Sequence, residues 1–458
     1  WNWSEKYSSQ PEILAYLNHM ADKFDLRENI SFCSTVQSAV FEKNNVWTVT
    51  TNETNQKYQA KFCIMATGCL SSTNIPQIPG LSKFKGETYH TGNWPHSEVN
   101  FQNKIVGIIG TGSSAIQATP IIAGDAKHLT VFQRTPNWSI PARNSLADKE
   151  RLNKIKQNYQ EIRREQRKLP LASSRPPNRQ NTEDATPLER EQKFQEYWEK
   201  GGLSFLGSFR DIATNETAND IAKKFLESKI REVVKNEEIA DLLIPEHHLG
   251  CKRPCSDTNY YETFNRHNVR LVSAKTEPIT NFYSDGLETK NEKHPLEIVV
   301  FATGFDAMTG SLEKINIVGK SGLSLKEKWG DGPKNYLGLG SSGFPNFFII
   351  TGPGSPSVLA NMVVGIEQHV EWITDCINYM ESHNLNTIDI EKEAEDEWVS
   401  HVNEVAKRTL YTSCNNWYLG ANIPGKPRIF MPYIGGFPKY EKKCKSVVEN
   451  DYQGFKFT

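Results

Sequence analysis

The chain has 458 residues, more than the roughly 100 to 200 of one domain, so two or three packed units sharing a sizeable core are expected. Lys and Arg total 53 against 54 Asp and Glu, a balance that removes the electrostatic basis for a nucleic-acid binder or a polybasic membrane anchor and points to small-molecule ligands. The eight cysteines form no C-x-x-C pair or Cys/His cluster, which argues against a disulfide framework, a metal site or a dithiol redox pair and makes a reducing, cytoplasmic setting the default.

Ser9-Gln10-Pro11-Glu12 has the form of a capping box, and Ile13, Leu17, Met20 and Phe24 follow at helical spacing, which predicts an amphipathic helix over 10 to 24. Val36 to Phe41 and Val46 to Thr50 flank a polar turn and read as a hairpin, followed by the buried-type strand Phe62 to Met65. A connector rich in Pro, Gly and Ser, from Ser71 to Pro95, leads to the apolar strand Ile105 to Ile109. Another strand is predicted at Leu129 to Gln133. Leu152, Ile155, Tyr159 and Ile162 then form one helical stripe that Pro170 stops. Ser173 to Asp184, with Pro176-Pro177, reads as a flexible surface loop, and Thr186-Pro187-Leu188-Glu189 caps a new helix that ends at Gly201-Gly202. Ile221, Phe225, Ile230 and Val234 make a further stripe, so residues 147 to 236 are expected to be a helical insertion in a nucleotide-binding domain. Strands resume at Val269 to Val272 and Ile298 to Phe301, and Val363 to Met380 carries a strong helical pattern. No apolar run approaches the ~18 residues of a membrane span.

The strand at 105 to 109 enters Gly110-Thr111-Gly112-Ser113-Ser114-Ala115 and a helix-compatible Ile116-Gln117, which is G-x-G-x-x-A in strand–turn–helix context. Gly110 permits the turn, Gly112 lets backbone approach a pyrophosphate and Ala115 lets helix and strand pack closely. The following strand ends in Arg134-Thr135, where a reader of a ribose 2′-hydroxyl would be acidic. A guanidinium there suits a 2′-phosphate, which favours NADP over NAD. A second triplet, Gly338-Leu339-Gly340-Ser341-Ser342-Gly343, precedes a strand and no helix, so it is read as turn chemistry.

Phe84-Lys85-Gly86-Glu87-Thr88-Tyr89-His90-Thr91-Gly92-Asn93-Trp94-Pro95 matches F-x-G-x-x-x-H-x-x-x-W-P, and A-T-G segments stand at Ala66-Thr67-Gly68 and Ala302-Thr303-Gly304. In these motifs the chain resembles the Baeyer-Villiger monooxygenases, the class B flavin monooxygenases. The resemblance implies an α/β, two-dinucleotide-binding-domain flavoprotein plan. Residues 1–75 and 301–458 would form the FAD side and 76–300 an NADP domain carrying the helical insertion. It implies FAD and NADP as cofactors and a small-molecule ketone and O2 as reactants, with no nucleic-acid, membrane or metal partner. Thr111, Gly112, Ser113, Ser114, Ala115, Ile116 and Gln117 resemble the family's NADP pyrophosphate loop, and Arg134, Thr135 and Lys252 its 2′-phosphate readers. Arg253 falls where the family has its catalytic arginine. Trp417 resembles the indole that closes over NADP, Val36 and Met362 fall where backbone contacts FAD, and Pro356 to Met362 resemble the bulge lining the ketone pocket. Oxygen insertion beside a carbonyl passes through anions, which an always-charged guanidinium stabilises. For His90 and Trp94 a domain-coupling role is favoured over direct catalysis.

The first of the family's two dinucleotide units, with its flavin contacts and catalytic aspartate, has no counterpart ahead of Trp1. The sequence is therefore expected to be an N-terminally shortened member, with the strands at 62–65 and 347–350 in an incomplete sheet with exposed apolar faces. Two alternatives stand beside ketone oxidation: a sulfur- or nitrogen-oxygenating flavin monooxygenase, and a non-catalytic NADP-binding remnant.

Overall fold

The computed structural model describes residues 1–52, 56–173 and 178–458; Pro176-Pro177 lies outside the described residues. The chain opens with α1 (Gln10–Lys23), whose predicted capping box does not form: Ser9 makes no side-chain cap, and the Glu12 carboxylate instead accepts from the Ser4 backbone N–H and hydroxyl at 2.8 Å each. No residue of α1 is buried, so its apolar stripe faces outward, with Leu17 57% exposed. The hairpin β1 (Val36–Phe41) and β2 (Trp47–Thr51) continues into β3 (Lys57–Ala60) and β4 (Cys63–Met65).

The nucleotide half follows: β5 (Glu87–His90), β6 (Ile105–Ile109), α2 (Ser113–Asp125), β7 (His128–Gln133) and β8 (Ser139–Pro141). The single helix predicted across 152–162 is two, α3 (Lys149–Gln157) and α4 (Tyr159–Arg167), because Asn158 leaves helical geometry between them. In the segment read as a loop, Thr182–Asp184 makes a 3-10 turn, and Thr182 is buried with its N–H and hydroxyl on the Asp211 carboxylate. Then come α5 (Pro187–Lys200), whose Thr186/Glu189 capping box is complete, α6 (Glu216–Val233), α7 (Glu237–Leu243), β9 (Cys255–Asp257), α8 (Tyr260–Thr263) and β10 (Val269–Ser273). A three-stranded antiparallel sheet of β11 (Ile279–Tyr283), β12 (Gly286–Thr289) and β13 (Lys293–Pro295) precedes β14 (Ile298–Phe301). The remainder comprises α9 (Gly310–Glu313), β15 (Asn316–Val318), α10 (Leu325–Lys328), β16 (Phe347–Ile349), α11 (Met362–Ser382), β17 (Ile388–Ile390), α12 (Lys392–Lys407), α13 (Phe437–Glu449) and β18 (Phe455–Phe457).

β5, β6, β7, β10 and β14 make a five-stranded, fully parallel sheet in the order β10-β7-β6-β14-β5. Helices bury one face, where Val106, Ile108, Leu129, Val131, Ile298 and Val300 are all at 0% exposure, and the β11–β13 sheet with the 78–84 connector covers the other, which is why these strands read as continuous apolar runs. The strand order reverses between β6 and β14, and a ligand crevice is expected outside the C-terminal ends of strands at such a point. Chain from before residue 66 and after residue 305 interleaves elsewhere: β15 joins β1 in a β15-β1-β2-β3 sheet, and β16 pairs in parallel with β4 as a two-stranded ladder. That small ladder has the expected open edges and exposed apolar surface, for Ile64 is 45% exposed and Val363 and Val370 of α11 lie open as well. Among the described residues no helix is long and apolar enough to cross a membrane.

One expectation about the cysteines fails. Cys251 and Cys414, 163 residues apart, form a disulfide, while the other six cysteines are free. Spacing along the chain holds no signal for a pair that tertiary contact alone brings together.

Candidate active site

β6 delivers its glycine turn to the crevice. Gly110 has φ +118°, and a Cβ there would stand 2.4 Å from the Ala302 carbonyl oxygen at the end of β14, so only glycine lets the two strand ends approach. Gly112 is the N-cap of α2 with no side-chain cap, and a Cβ on it would meet nothing within 4 Å, so open space lies in front of the helix amides. A phosphate fits such a cradle, where free N–H groups and the positive end of the helix dipole coincide. Ala115 and Ile116 are buried against the sheet, whereas Ser113, Ser114 and Gln117 are exposed on the first turn, with Gln117 Nε2 donating to the Ser113 hydroxyl at 3.0 Å. Thr111 is buried and its hydroxyl donates to the Thr135 carbonyl at 2.7 Å, fastening the glycine turn to the exit of β7.

That exit runs beside residues 247 to 257. β8 pairs in parallel with β9, the Cys255 N–H donates to the Trp138 carbonyl at 2.8 Å, and Asn137 Nδ2 donates to the Arg253 carbonyl at 3.0 Å. Cys255 in turn meets Ser113 at the start of α2. The result is that Arg134, Thr135, Lys252 and Arg253 converge on the helix N-terminus from two separate segments. Burial and the neighbouring Arg134 charge both push the Lys252 ammonium below its ordinary pKa, and neither cation has an ion-pair partner among the described residues. Two cations held close without a carboxylate form a site whose missing counter-charge is an anion.

Arg253 is exposed and makes no side-chain hydrogen bond or ion pair among the described residues. Burial pushes the Cys69 thiol and the Tyr411 and Tyr418 phenols up, and the Arg253 charge opposes that shift at all three. The guanidinium thus stands where the chain leaving β4, the 409–420 loop and the glycine turn meet. Trp417 opens a 3-10 turn capped by the Asn416 side chain, its ring 4.2 Å from that of Tyr418, and it packs with Met362, Met308, Val358 and Cys69 into one apolar cluster. Met362 begins α11, next to the 3-10 turn Ser357–Leu359 of the expected bulge. Val36 is the exception among the candidates: it lies at the start of β1 in the four-stranded sheet and shares no hydrophobic cluster with the others.

The fingerprint segment proves to be a junction. The Asn74 N–H donates to the Gly304 carbonyl at 3.0 Å, Asp306 N–H to Ser72 at 2.8 Å and Met308 N–H to Cys69 at 2.8 Å, so the chain leaving the two A-T-G segments crosses side by side. His90 is buried at this crossing, accepting from the Gly92 N–H at 3.0 Å and lying 3.4 Å from the Thr303 hydroxyl. Burial holds its pKa down, which keeps the ring neutral and able to accept. Gly86 is needed because a Cβ would lie 2.3 Å from the Glu297 carbonyl, and Trp94 stacks between Tyr89 and Phe101. The second glycine triplet is turn chemistry: Glu395 accepts from the Ser342 N–H at 2.8 Å, and β16 follows.

Two groups at the site went unread in the sequence. Asn416 Nδ2 donates to the carbonyls of Cys251 and Tyr411 at 3.0 and 2.7 Å, and Lys426 pairs with Asp306 at 2.5 Å, so the 409–430 loop is held to both sides of the crevice. An asparagine and a lysine in a loop carry no positional signal before the fold is known.

Comparison with other proteins agrees with this geometry. Residues 1–174 match the family model described as pyridine nucleotide-disulphide oxidoreductase. A protein named Baeyer-Villiger monooxygenase from Pseudooceanicola batsensis is 40% identical over 98% of this chain and 82% of its own length. The chain belongs to the Baeyer-Villiger monooxygenase family. A cyclohexanone 1,2-monooxygenase from Acinetobacter sp. is 39% identical over 98% of this chain and 83% of that protein. Among solved structures, an oxidized steroid monooxygenase bound to NADP superposes with a TM-score of 0.94 at 46% identity, covering 100% of this chain and 86% of that one. Cyclohexanone monooxygenase from Rhodococcus sp. Phi1 bound to NADP+ gives 0.97 at 39% identity with the same coverage of each chain. The two-dinucleotide flavoprotein fold is common to these Baeyer-Villiger monooxygenases and to this chain.

Proposed function

We propose that this family member is an NADPH- and O2-dependent, FAD-containing monooxygenase that inserts oxygen beside a ketone carbonyl to give an ester or lactone. The observation that carries the reading is Arg253, an unpaired guanidinium at the meeting of three segments, one residue from the cationic Lys252–Arg134 pair. NADP is held along the crevice. The α2 amides from Gly112 to Ala115 receive the pyrophosphate, with Thr111, Ile116 and Gln117 shaping the turn, and Arg134, Thr135 and Lys252 take the 2′-phosphate. Trp417 and Met362 give the reaction end an apolar wall, and bound ligands that cover the exposed Arg253 there would strengthen its charge by excluding water. FAD, when bound, supplies the activation of O2; Met362 and the apolar cluster around Cys69 and Val358 suit a flat ring, and Val36 contributes backbone from the second sheet. Arg253 stabilises the negative charge that develops on the substrate oxygen and cannot itself be deprotonated.

In this reading residues 1–75 and 301–458 form the FAD side and 76–300 the NADP domain, with 147–236 as its helical insertion. A cytoplasmic location belongs to the same proposal and is supported by six free thiols, one of them the exposed Cys33. Arg253→Ala should lower ester or lactone formation from a cyclic ketone by about 10²–10³-fold while NADPH affinity, read by titration, stays near wild type. Undiminished product formation in that variant overturns the assignment. A phenazine N-monooxygenase from Lysobacter antibioticus at 37% identity motivates nitrogen oxygenation as the second reading, and product analysis with an aromatic N-heterocycle in place of the ketone distinguishes the two.

A further inference from the structure

The Cys251–Cys414 disulfide joins the two segments on which the proposed reaction depends. Cys251 immediately precedes Lys252 and Arg253, and Cys414 lies three residues before Trp417. The partners differ in access. Cys251 is at 0% exposure, whereas Cys414 is half-buried and lines an open cavity of about 490 Å³ together with Lys407, Asn415 and Arg428. A small oxidant can therefore reach the Cys414 sulfur from that cavity. The pair is also held in place without the covalent bond. Asn416 Nδ2 donates to the carbonyls of Cys251, Tyr411 and Cys414, His248 Nδ1 lies 2.8 Å from the Ser413 hydroxyl, and the Leu410 N–H donates to the Ala213 carbonyl at 2.9 Å. Reduction leaves the two sulfurs facing each other at a Cα separation of 6.1 Å that needs no rearrangement to close again. Every other described cysteine is free, and in the cytoplasmic setting proposed above an isolated disulfide is usually transient and catalytic or redox-sensing.

We propose that Cys251 and Cys414 are a reversible redox pair: oxidation adds a covalent tie between the Trp417 loop and the Lys252-Arg253 segment, and reduction leaves them joined by hydrogen bonds alone. The oxidant is a hydroperoxide. The Cys414 thiolate attacks one peroxide oxygen and the O–O bond breaks, giving a sulfenic acid and, with a proton, one water. The Cys251 thiol then attacks the Cys414 sulfur, the S–O bond breaks, a second water leaves and the disulfide forms. Two thiols are oxidised and one H2O2 is reduced to two waters. A dithiol reverses the step by exchange. The consequence for nucleotide rests on the function proposed above: with Lys252 and Trp417 fastened together, NADP+ leaves the oxidised protein more slowly.

The test uses the full chain treated either with dithiothreitol or with H2O2 followed by removal of the peroxide. After peroxide, Cys414 is expected to resist iodoacetamide and to appear with Cys251 as one linked peptide by mass spectrometry; after dithiothreitol Cys414 is labelled and the linked peptide is lost. Backbone amides of 414–422 should exchange with deuterium about ten-fold more slowly in the oxidised protein, and Cys414→Ala should show no difference between the treatments. Labelling of Cys414 after peroxide, or equal exchange of the loop in both states of the wild type, overturns the proposal, and that comparison requires no variant to fold. An exchange difference without NADP+ binding in either state supports the redox pair and counts against the nucleotide assignment.

Discussion

The five-stranded sheet and the β4–β16 ladder are made of equally apolar strands, yet Ile108 in the middle of β6 is fully buried and Ile64 in the middle of β4 is 45% exposed. The difference is one of supply. Strands of the nucleotide half are covered by helices on one face and by the β11–β13 sheet on the other, all drawn from the same stretch of chain between residues 78 and 301, whereas β4 depends on β16, nearly 300 residues onward in sequence. An apolar strand shows that it can be buried; which segments cover it is decided elsewhere. The nucleotide half is accordingly local and turn-dependent, and the other half is held by a few long-range contacts.

Substitutions should separate the halves. The largest effect is expected at Gly110, where both a positive φ and a backbone oxygen 2.4 Å from any Cβ stand in the way: Gly110→Val should cost about 3–4 kcal/mol in denaturant unfolding and abolish NADPH binding. If the variant folds and binds normally, the two strand ends are not as tightly joined as the contrast requires.

The other half has an acid-labile fastening. Burial drives the pKa of His369 on α11 down to about 4; its Nδ1 accepts from the Thr351 N–H at 3.0 Å, and its Nε2 faces the Tyr440 hydroxyl, which donates onward to the Leu337 carbonyl. Because the folded value lies below the unfolded value of 6.5, this contribution is complete above pH 6.5 and disappears as pH falls towards 4, a loss of about 3 kcal/mol. Unfolding free energies measured at pH 7 and pH 4.5 should therefore converge in His369→Gln relative to wild type. An unchanged pH dependence would show that the long-range contacts do not rest on this ring.

Returning to the nucleotide half, the Arg134→Ala/Lys252→Ala pair should weaken NADPH about 10- to 100-fold, the worth of charge-assisted bonds to a phosphate, and leave NADH nearly unchanged. Equal losses for both nucleotides would move the 2′-phosphate away from this pair. The smallest effect is expected at Trp94, 40% exposed and stacked on Tyr89 and Phe101, where Trp94→Ala should cost about 1 kcal/mol or less in thermal unfolding.

Sequence alone exposed four of the five strands of the nucleotide sheet because their signals are short: an apolar run, a glycine turn and a helix start lie within about fifteen residues, and β6 and β14 form where expected, whereas β5 lies inside the segment read as a connector and β8, β9 and β11 to β13 went unread. Arg134, Lys252 and Arg253 were legible as residue types in order along the chain, although their convergence depends on the β8–β9 pairing, which no periodicity announces. The failures have different causes, two local and one long-range. Ser9 is not a cap because Glu12 found a better partner in Ser4, the stripe over 152–162 did not register the break at Asn158, and Cys251–Cys414 closes over 163 residues.

The two stretches that leave the A-T-G segments cross between the halves as a pair tied by three backbone hydrogen bonds and the Thr73–Phe305 bridge. Bodies joined by a single thread can swivel about any axis, whereas a ribbon resists bending within its own plane and yields mainly by flexing across its thin dimension or by twisting. Relative movement of the halves is thereby reduced to a narrow set of directions. The Trp417 loop is bonded to this ribbon, Asn422 Nδ2 donating to the Phe305 carbonyl at 2.6 Å, and through Asn416 to Cys251, so the cover over the crevice is anchored on both sides of the crossing.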